Sequence, residues 1–249
     1  MSNLARLKAQ FEVMEGLVAQ VAGGTIRGLI VSGPAGIGKT YNVERVLYNY
    51  RDRIAPLIGV EATVEACTGH MTTVGLVEAL WRNRDPASTL VLDDIDTVLE
   101  KLDALNILKA ALDSGSHRTI SYMSQNAALR KAGIPKQFDY NGSVILITNQ
   151  DMENCNSKLA PHFKALVSRC YYFDLGFQGP EDCFAWIKHT VETTGMLGGE
   201  QATKDILSYM KHNLPELREL SLRTALKIKQ VYRQPNWQDI ADFTVLTND

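Results

Sequence analysis

The segment from Gly33 to Thr40 has the residue types and the spacing that binding a phosphate chain requires. It consists of Gly-Pro-Ala-Gly-Ile-Gly-Lys-Thr and fits the pattern G-x-x-x-x-G-K-[ST] without a mismatch. Gly36 and Gly38 let the backbone curl until its N–H groups point at phosphate oxygens. Lys39 can then reach the β- and γ-phosphates, and the Thr40 hydroxyl can bind Mg²⁺. The segment therefore predicts that the chain binds ATP and Mg²⁺.

The elements on either side of this loop support the prediction. The apolar run Gly28–Val31 is typical of a buried parallel strand, and Thr40–Tyr50 has the pattern of a helix. This strand–loop–helix context argues against the alternative, a glycine turn that happens to precede a lysine. We expect the nucleotide to contact the whole loop and the residue after it, that is Gly33, Pro34, Ala35, Gly36, Ile37, Gly38, Lys39, Thr40 and Tyr41.

Two carboxylates follow a second apolar strand. The segment Leu90–Asp94 ends in Asp93 and Asp94. In a phosphate-loop enzyme the first acid holds Mg²⁺ through water and the next can polarise the attacking water. We therefore predict Asp93 as the acid on the metal side and Asp94 as the base, with an acidic helix cap as the alternative. The second acid is more usually a glutamate, and an aspartate is one methylene shorter, so a wider gap to the water and slow turnover are compatible with this position.

An amide follows a third apolar strand, Val144–Thr148, at Asn149. At the tip of the strand beside Asp93, this side chain could hydrogen-bond the attacking water and the γ-phosphate. Taken alone, an asparagine in this position is more often a turn residue. In combination with the loop and the two acids, Asn149 is predicted to be catalytic.

The bulk composition is that of an ordinary globular protein. The chain has 249 residues, of which 45% are hydrophobic and 22% charged, and its formal net charge is −2. This is enough for one large domain, or for a large and a small one, with a sizeable core. The balanced charge argues against coating of nucleic acid by bulk charge, although a local basic patch is compatible with it.

Cysteine spacing and hydropathy bear on the compartment. The four cysteines show neither C-x-x-C pairs nor zinc-finger spacing from a histidine, so we expect no disulfide framework and no structural metal. The N-terminal stretch 1–20 predicts an amphipathic helix instead of a signal peptide. No apolar run reaches the roughly 18 residues that a membrane span needs. We expect a soluble, cytoplasmic protein without a membrane partner.

Strand-like and helix-like segments alternate from Gly28 to Leu175, which predicts an α/β fold with a parallel, doubly wound sheet. From about Gly179 onward the pattern is all-helical. We therefore predict an N-terminal helix over 1–24, a nucleotide-binding core over 25–177 and a C-terminal helical domain over 178–249.

Together these segments resemble the AAA+ superfamily of P-loop ATPases. Gly33–Thr40 is similar to its Walker A motif, Leu90–Asp94 to Walker B, Asn149 to sensor 1, and the helical tail to its lid. The resemblance covers about 28–234. It implies a three-layer αβα P-loop NTPase fold with a parallel five-stranded sheet in the order 5-1-4-3-2 and a small helical lid.

The resemblance also implies how such a protein assembles. AAA+ ATPases bind ATP at subunit interfaces in rings or spirals, commonly hexamers, so a homo-oligomer is expected. The closest overall likeness is a compact AAA+ ATPase of the kind found in phages, since the chain ends too soon for the collar domain of clamp loaders. The expected location is the cytoplasm of a bacterium or of a phage-infected host.

Ser168-Arg169-Cys170 is similar to the Ser-Arg-Cys segment of clamp-loader ATPases, whose arginine reaches into the neighbouring subunit's site. A planar cation supplied in trans stabilises the charge that spreads over the γ-phosphoryl oxygens in the transition state. We therefore predict Arg169 as this arginine finger, with Lys158 as a weaker second cation. The alternative is a surface arginine in a loop.

Members of the superfamily place a further arginine, sensor 2, at the start of the third lid helix. Ser221-Leu222-Arg223 predicts an N-cap with Arg223 at the second helical position. Arg218 is the competing candidate if the helix starts earlier, and a solvated basic face that includes Lys227 is the third interpretation.

The connection 113–142 between the Walker B helix and the sensor 1 strand is long for a plain loop. The segment from Lys109 to Lys136 contains five basic residues and a single acid, Asp113. Within it, 118–122 has the alternating pattern of a strand. Some AAA+ proteins insert a DNA-binding hairpin at this point. Arg118 and Lys131 could meet phosphates and Tyr122 could stack on a base. A solvated loop, or one that packs on the adjacent subunit, is the alternative.

The function predicted from the sequence is an oligomeric ATPase that acts as a motor or loader in DNA metabolism, in replication or recombination. The principal alternative is an ATP-dependent assembly switch or scaffold that turns over little and recruits a protein partner, which the sequence does not identify. A small-molecule P-loop kinase is disfavoured, because the helical domain is C-terminal and Asn149 and Arg169 occupy AAA+ positions.

Overall fold

The computed structural model describes residues 3–123, 127–154 and 158–247. The strands are β1 (Gly28–Ser32), β2 (Thr63–Thr68), β3 (Ser88–Asp93), β4 (Thr119–Ser121), β5 (Gln137–Asp139), β6 (Ser143–Thr148) and β7 (Tyr171–Asp174). The helices are α1 (Asn3–Ala22), α2 (Lys39–Asn49), α3 (Thr73–Arg82), α4 (Asp96–Leu99), α5 (Leu102–Ala111), α6 (Ala127–Lys131), α7 (Ala160–Val167), α8 (Pro180–Thr194), α9 (Glu200–His212), α10 (Leu222–Val231) and α11 (Trp237–Val245). Within the described ranges, every helix is too short or too polar to cross a membrane.

Five parallel strands form one sheet in the order β2-β3-β6-β1-β7. Counted along the chain without the separate β4–β5 pair, this is the predicted order 5-1-4-3-2, which is confirmed. The central strands β1, β3 and β6 are buried at every residue, because helices cover both faces of a parallel sheet. All five strands run in the same direction, so their carboxyl ends meet at one edge.

The chain forms two compact units. The larger comprises 11–33 and 39–175, and the smaller comprises 1–10, 34–38 and 176–249. Helix α1 thus contributes to both units, and the middle of the phosphate loop groups with the C-terminal helices. The sequence-based boundaries 1–24, 25–177 and 178–249 differ from these units at those two places and by two residues at the C-terminal boundary, and they stay a prediction.

The smaller unit is helical, and residues with well-known capping preferences define the ends of its helices. Pro180 occupies the first turn of α8, and Gly195 ends that helix with φ of 63°. Ser221 caps α10, its hydroxyl accepting a hydrogen bond from the Thr224 N–H at 3.2 Å. The buried carboxylate of Asp182 pairs with Arg6, which ties the beginning of α1 to α8.

The connection 113–142 contains an antiparallel pair, in which β4 faces β5 with Ile120 opposite Phe138. The strand predicted over 118–122 is therefore present. Ile120, Phe138 and Tyr140 are buried in the core of the larger unit, and Tyr122 packs against the same core. A half-buried Tyr122 belongs to the hydrophobic packing of this unit, which argues against the base-stacking role suggested for it.

The prediction that Arg118 meets DNA phosphates is wrong, because this side chain is only 6% exposed. Its guanidinium donates to the Ala111 carbonyl at 2.8 Å and lies 5.2 Å from the centre of the Tyr140 ring. Burial lowers the pKa of Arg118, and the charge of Arg27 acts in the same direction. Sequence spacing could not reveal this, since the hairpin folds its N-terminal end back onto α5.

Replacing Arg118 with alanine should destabilise the protein without acting on a ligand. The change removes a buried hydrogen bond and leaves the Ala111 carbonyl unpaired, which typically costs about 1–3 kcal/mol. Urea unfolding followed by circular dichroism measures this loss. Arg130→Ala is the matched control on an exposed arginine of the same connection and should change the free energy of unfolding by less than about 0.5 kcal/mol.

Candidate functional site

The phosphate loop has a backbone that requires its glycines. Gly36 and Gly38 have φ of 67° and 95°, values that residues with a side chain rarely adopt. A Cβ atom on Gly36 would also lie 2.5 Å from the Cβ of Ser221. Helix α2 begins at Lys39, so its N-terminal N–H groups continue from the loop. This conformation has the form of an anion-binding turn followed by a helix N-terminus.

Lys39 lies inside the larger unit and bridges the loop to β6. The side chain is 6% exposed. Its ammonium donates to the Gly33 carbonyl at 2.7 Å and to the Asn149 Oδ1 atom at 2.8 Å. Lys39 and Asn149, each predicted separately as a site residue, are thus in direct contact, although 110 positions separate them along the chain.

Thr40 and Asp93 form the oxygen-rich part of the site. The Thr40 hydroxyl donates to the Asp93 Oδ2 atom at 2.7 Å, and Asp93 is 8% exposed. A hydroxyl and a carboxylate are hard oxygen donors of the kind that Mg²⁺ prefers when phosphate oxygens and water complete its octahedron. The two side chains therefore fit the metal that the sequence predicts.

The second acid, Asp94, contacts Asn149, whereas the first acid, Asp93, contacts Thr40. The Asn149 amide donates to the Asp94 Oδ1 atom at 2.9 Å, and the Asp94 N–H donates to the Ile147 carbonyl at 3.3 Å. Asp94 has φ of 50°, which is uncommon outside glycine and occurs preferentially at functional sites. The sharp turn of the chain separates the two carboxylates, one toward Thr40 and one toward Asn149.

Two carboxylates that the sequence analysis did not single out lie close to each other, and one of them, Asp174, also interacts with Lys39. Asp174 ends β7 opposite Ser32 of β1, and Asp151 follows β6. Burial raises the pKa of Asp174, the charge of Asp151 acts in the same direction, and Ser32 and Lys39 oppose the shift. Asp174 is the last residue of a parallel strand and Asp151 comes shortly after one. This position in the sequence could have identified both acids together with Asp93 and Asn149.

Within the smaller unit, two donors bind carbonyl groups of the loop. The Trp186 indole N–H donates to the Ile37 carbonyl at 3.0 Å, and the Leu222 N–H donates to the Gly36 carbonyl at 2.9 Å. Helix α10 begins at Leu222, so its N-terminus contacts the loop directly. No pattern along the chain connects Trp186 to a loop so far away in sequence.

The two candidates for sensor 2 have different surroundings. Arg223 is exposed and directly follows Leu222, the residue bound to the loop. The Arg218 guanidinium instead donates to the Leu246 carbonyl, and the Arg218 N–H donates to the Val245 carbonyl. Arg223 therefore stays the prediction for sensor 2, with Arg218 as the alternative.

Arg169 lies between the end of α7 and the start of β7. Its guanidinium donates to the Ala165 carbonyl at 2.6 Å, and its Nε atom lies 3.5 Å from the Asp113 carboxylate. These partners hold the side chain against α5 and α7, with 32% of it exposed.

Lys158 and Tyr41 are both exposed, and Tyr41 follows Thr40 on α2.

Sequence comparison relates the chain to a phage protein. It is 36% identical over 245 residues to the "Uncharacterized 36.7 kDa protein in nrdC-mobD intergenic region" of Enterobacteria phage T4. The aligned region covers 95% of this chain and 73% of the phage protein. No family model matches the chain.

Structural comparison identifies the type of fold. Domain III of the replication initiation protein DnaA from Thermotoga maritima has a TM-score of 0.50 and 14% identity, over 93% of this chain and 89% of that one. NtrX from Brucella abortus, solved in complex with ATP, has a TM-score of 0.50 and 15% identity, over 95% of this chain and 50% of that one. These likenesses show the fold alone, a mixed α/β fold with a five-stranded parallel sheet of the P-loop NTPase type.

Proposed function

This chain belongs to the family of the 36.7 kDa protein from the nrdC-mobD intergenic region of phage T4, and we propose that it binds ATP with Mg²⁺ and hydrolyses the ATP to ADP and phosphate. The observation that carries the proposal is the convergence of Thr40 with Asp93 and of Lys39 with Asn149 behind a complete phosphate loop. In P-loop NTPases the loop lysine binds the β- and γ-phosphates, and the loop Ser or Thr and a strand-end Asp hold Mg²⁺.

Each side chain has a separate task in the proposed reaction. Thr40 and Asp93 would hold Mg²⁺, which neutralises charge on the β- and γ-phosphates when bound. Lys39 would exchange its bonds to Gly33 and Asn149 for phosphate oxygens. Asp94 would accept the proton of a water that attacks the γ-phosphorus while the bond to the bridging oxygen breaks, and Asn149 would orient that water.

We propose further that the site is completed by a second copy of the chain in a homo-oligomer, a hexameric ring or spiral. Arg169 would enter the neighbour's site as the arginine finger and Arg223 would contact the γ-phosphate as sensor 2. The exposed third of Arg169 and the position of Arg223 next to the loop-binding Leu222 support these roles.

A role as a motor or loader in DNA metabolism, in the cytoplasm of an infected host, is the next step of the proposal. Three basic side chains of the connection 113–142 are exposed, Arg130, Lys131 and Lys136. They can contact phosphates in a sequence-independent manner. With Arg118 buried, these three carry the proposed DNA contact, and Lys131 is the residue to change first.

Two features of Asp94 favour a second function, that of an ATP-dependent switch or scaffold that recruits a protein and turns over little. Asp94 is shorter than glutamate, and its carboxylate is bonded to Asn149. Both features limit its reach toward an attacking water. Steady-state turnover with and without DNA separates the two functions.

Two measurements test the proposal. Native mass spectrometry with and without Mg²⁺ and a non-hydrolysable ATP analogue measures assembly, and an ATPase assay with and without Mg²⁺ measures turnover. Both are run with and without DNA. We expect the analogue with Mg²⁺ to convert monomers into a ring or spiral of six subunits, and we expect turnover only under conditions in which the subunits assemble. Normal hydrolysis by an isolated monomer would contradict the interface site, and no binding of ATP would contradict the proposal as a whole.

A further inference from the structure

Two consecutive carbonyl groups of the phosphate loop accept hydrogen bonds from the C-terminal helices. The Gly36 carbonyl accepts from the Leu222 N–H at 2.9 Å, and the Ile37 carbonyl accepts from the Trp186 Nε1–H at 3.0 Å. The donors come from the N-terminus of α10 and from the middle of α8. Neither residue is among those expected to touch a nucleotide.

These two bonds determine where the next two N–H groups point. A trans peptide is planar, and its N–H is directed opposite to its C=O. The Gly36 carbonyl shares a peptide plane with the Ile37 N–H, and the Ile37 carbonyl shares one with the Gly38 N–H. Holding both carbonyls toward α8 and α10 therefore turns the Ile37 and Gly38 N–H groups to the other side of the loop. Successive N–H groups arranged in this way form an anion-binding concavity.

The two donors are themselves held firmly. Trp186 is 7% exposed, and its neighbour Ile187 on α8 is fully buried. Leu222 is 8% exposed and follows Ser221, the buried cap of α10. The close approach of Ser221 to Gly36 excludes a side chain at that glycine. The packing therefore fixes the donors before any ligand arrives.

We propose that Trp186 is a positioning residue for the phosphate loop, and that the C-terminal helices orient the Ile37 and Gly38 N–H groups for the phosphate chain of a nucleotide. This inference rests on the proposed ATP binding. Trp186 acts through the Ile37 carbonyl and touches no substrate atom. Because the two N–H groups recognise phosphate, the effect of Trp186 depends on the phosphate chain of the ligand and is independent of its base.

Trp186→Phe keeps an aromatic ring in the buried position and removes the indole donor. We expect the dissociation constants of Mg²⁺-ADP and of inorganic pyrophosphate to rise by a similar factor of about five, as the loss of one ordinary hydrogen bond would produce. Isothermal titration calorimetry well below the melting temperature measures both constants. Trp237→Phe, in the same unit and packed on Tyr209 and Tyr232, is the matched control and should leave both unchanged.

A merely structural role for Trp186 predicts a different result, namely a lower melting temperature of the ligand-free protein with unchanged dissociation constants. If Trp186→Phe does not fold cooperatively, site-specific incorporation of benzothienylalanine at 186 replaces the N–H by sulfur while it retains the shape of the indole. Unchanged affinity in the analogue protein would overturn the inference. Failure of the wild-type protein to bind Mg²⁺-ADP would instead overturn the proposed function, so the two failures are distinguishable.

Discussion

The Arg169→Ala protein is expected to bind ATP and to assemble as the wild-type protein does, but to hydrolyse ATP at least about 10³-fold more slowly. In the proposed oligomer the Arg169 guanidinium of one subunit stabilises charge on the γ-phosphoryl group held by the next. Losing this cation leaves the bound ground state nearly unaffected and raises the barrier to phosphoryl transfer. Turnover at saturating Mg²⁺-ATP, beside native mass spectrometry of the same samples, measures both parts of the prediction.

The ion pair of Arg169 with Asp113 supplies the matched control. Asp113→Asn removes the charge that faces the Arg169 Nε atom at 3.5 Å and keeps the guanidinium. Both partners are partly exposed, so the pair contributes little to stability. If Arg169 serves only to hold α5 and α7 together, Asp113→Asn should share its defect. If Arg169 is a finger, Asp113→Asn should retain turnover within a few-fold of wild type.

Mixing two inactive variants tests whether Arg169 acts in trans. A subunit with Arg169→Ala keeps an intact phosphate loop, and a subunit with Lys39→Ala keeps its arginine. Mixed oligomers therefore contain some interfaces with both groups, and we expect turnover to reappear on mixing. An Arg169→Ala protein that hydrolyses ATP at the wild-type rate, or a mixture that stays inactive although the subunits co-assemble, would contradict the finger.

The Lys39→Ala change is expected to reduce turnover by about 10²–10³-fold, the factor typical of removing one preorganised donor from developing charge. Lys39 is 6% exposed and bonded to Gly33 and Asn149, so its ammonium is already located between the loop and β6. Its removal also takes a charge-assisted hydrogen bond from the bound phosphates. We therefore expect ATP affinity to fall together with turnover.

Calorimetric titration with Mg²⁺-ATP, together with the ATPase assay, measures both effects of Lys39→Ala. Lys204→Ala removes an exposed lysine of α9 and is the control, expected to match the wild-type protein in both assays. A Lys39→Ala protein that retains full ATP affinity would exclude the loop as the nucleotide site, whatever the turnover of Arg169→Ala.

Much of the nucleotide-binding architecture is determined locally and was therefore accessible from the sequence. A glycine loop that ends in Lys39 and Thr40 needs only its own backbone freedom and the flanking strand and helix. Continuous apolar runs before Asp93 and before Asn149 indicate strands that are buried on both faces. Parallel strands end at one edge of the sheet, so the order of the strands decides which residues at that edge meet. The resemblance to AAA+ ATPases supplied this order. The contacts of Thr40 with Asp93 and of Lys39 with Asn149 follow from it.

Contacts between segments far apart along the chain were decided only by the tertiary structure. A basic residue has the same appearance in a sequence whether it faces solvent or, like Arg118, donates to a carbonyl inside the fold. The bond from the Leu222 N–H to the Gly36 carbonyl joins α10 to the loop, and the role proposed for Trp186 depends on a hydrogen bond across 149 positions. Neither contact leaves a periodic or spaced pattern, because hydrogen bonds formed by packing depend on distance in space and not on separation along the chain.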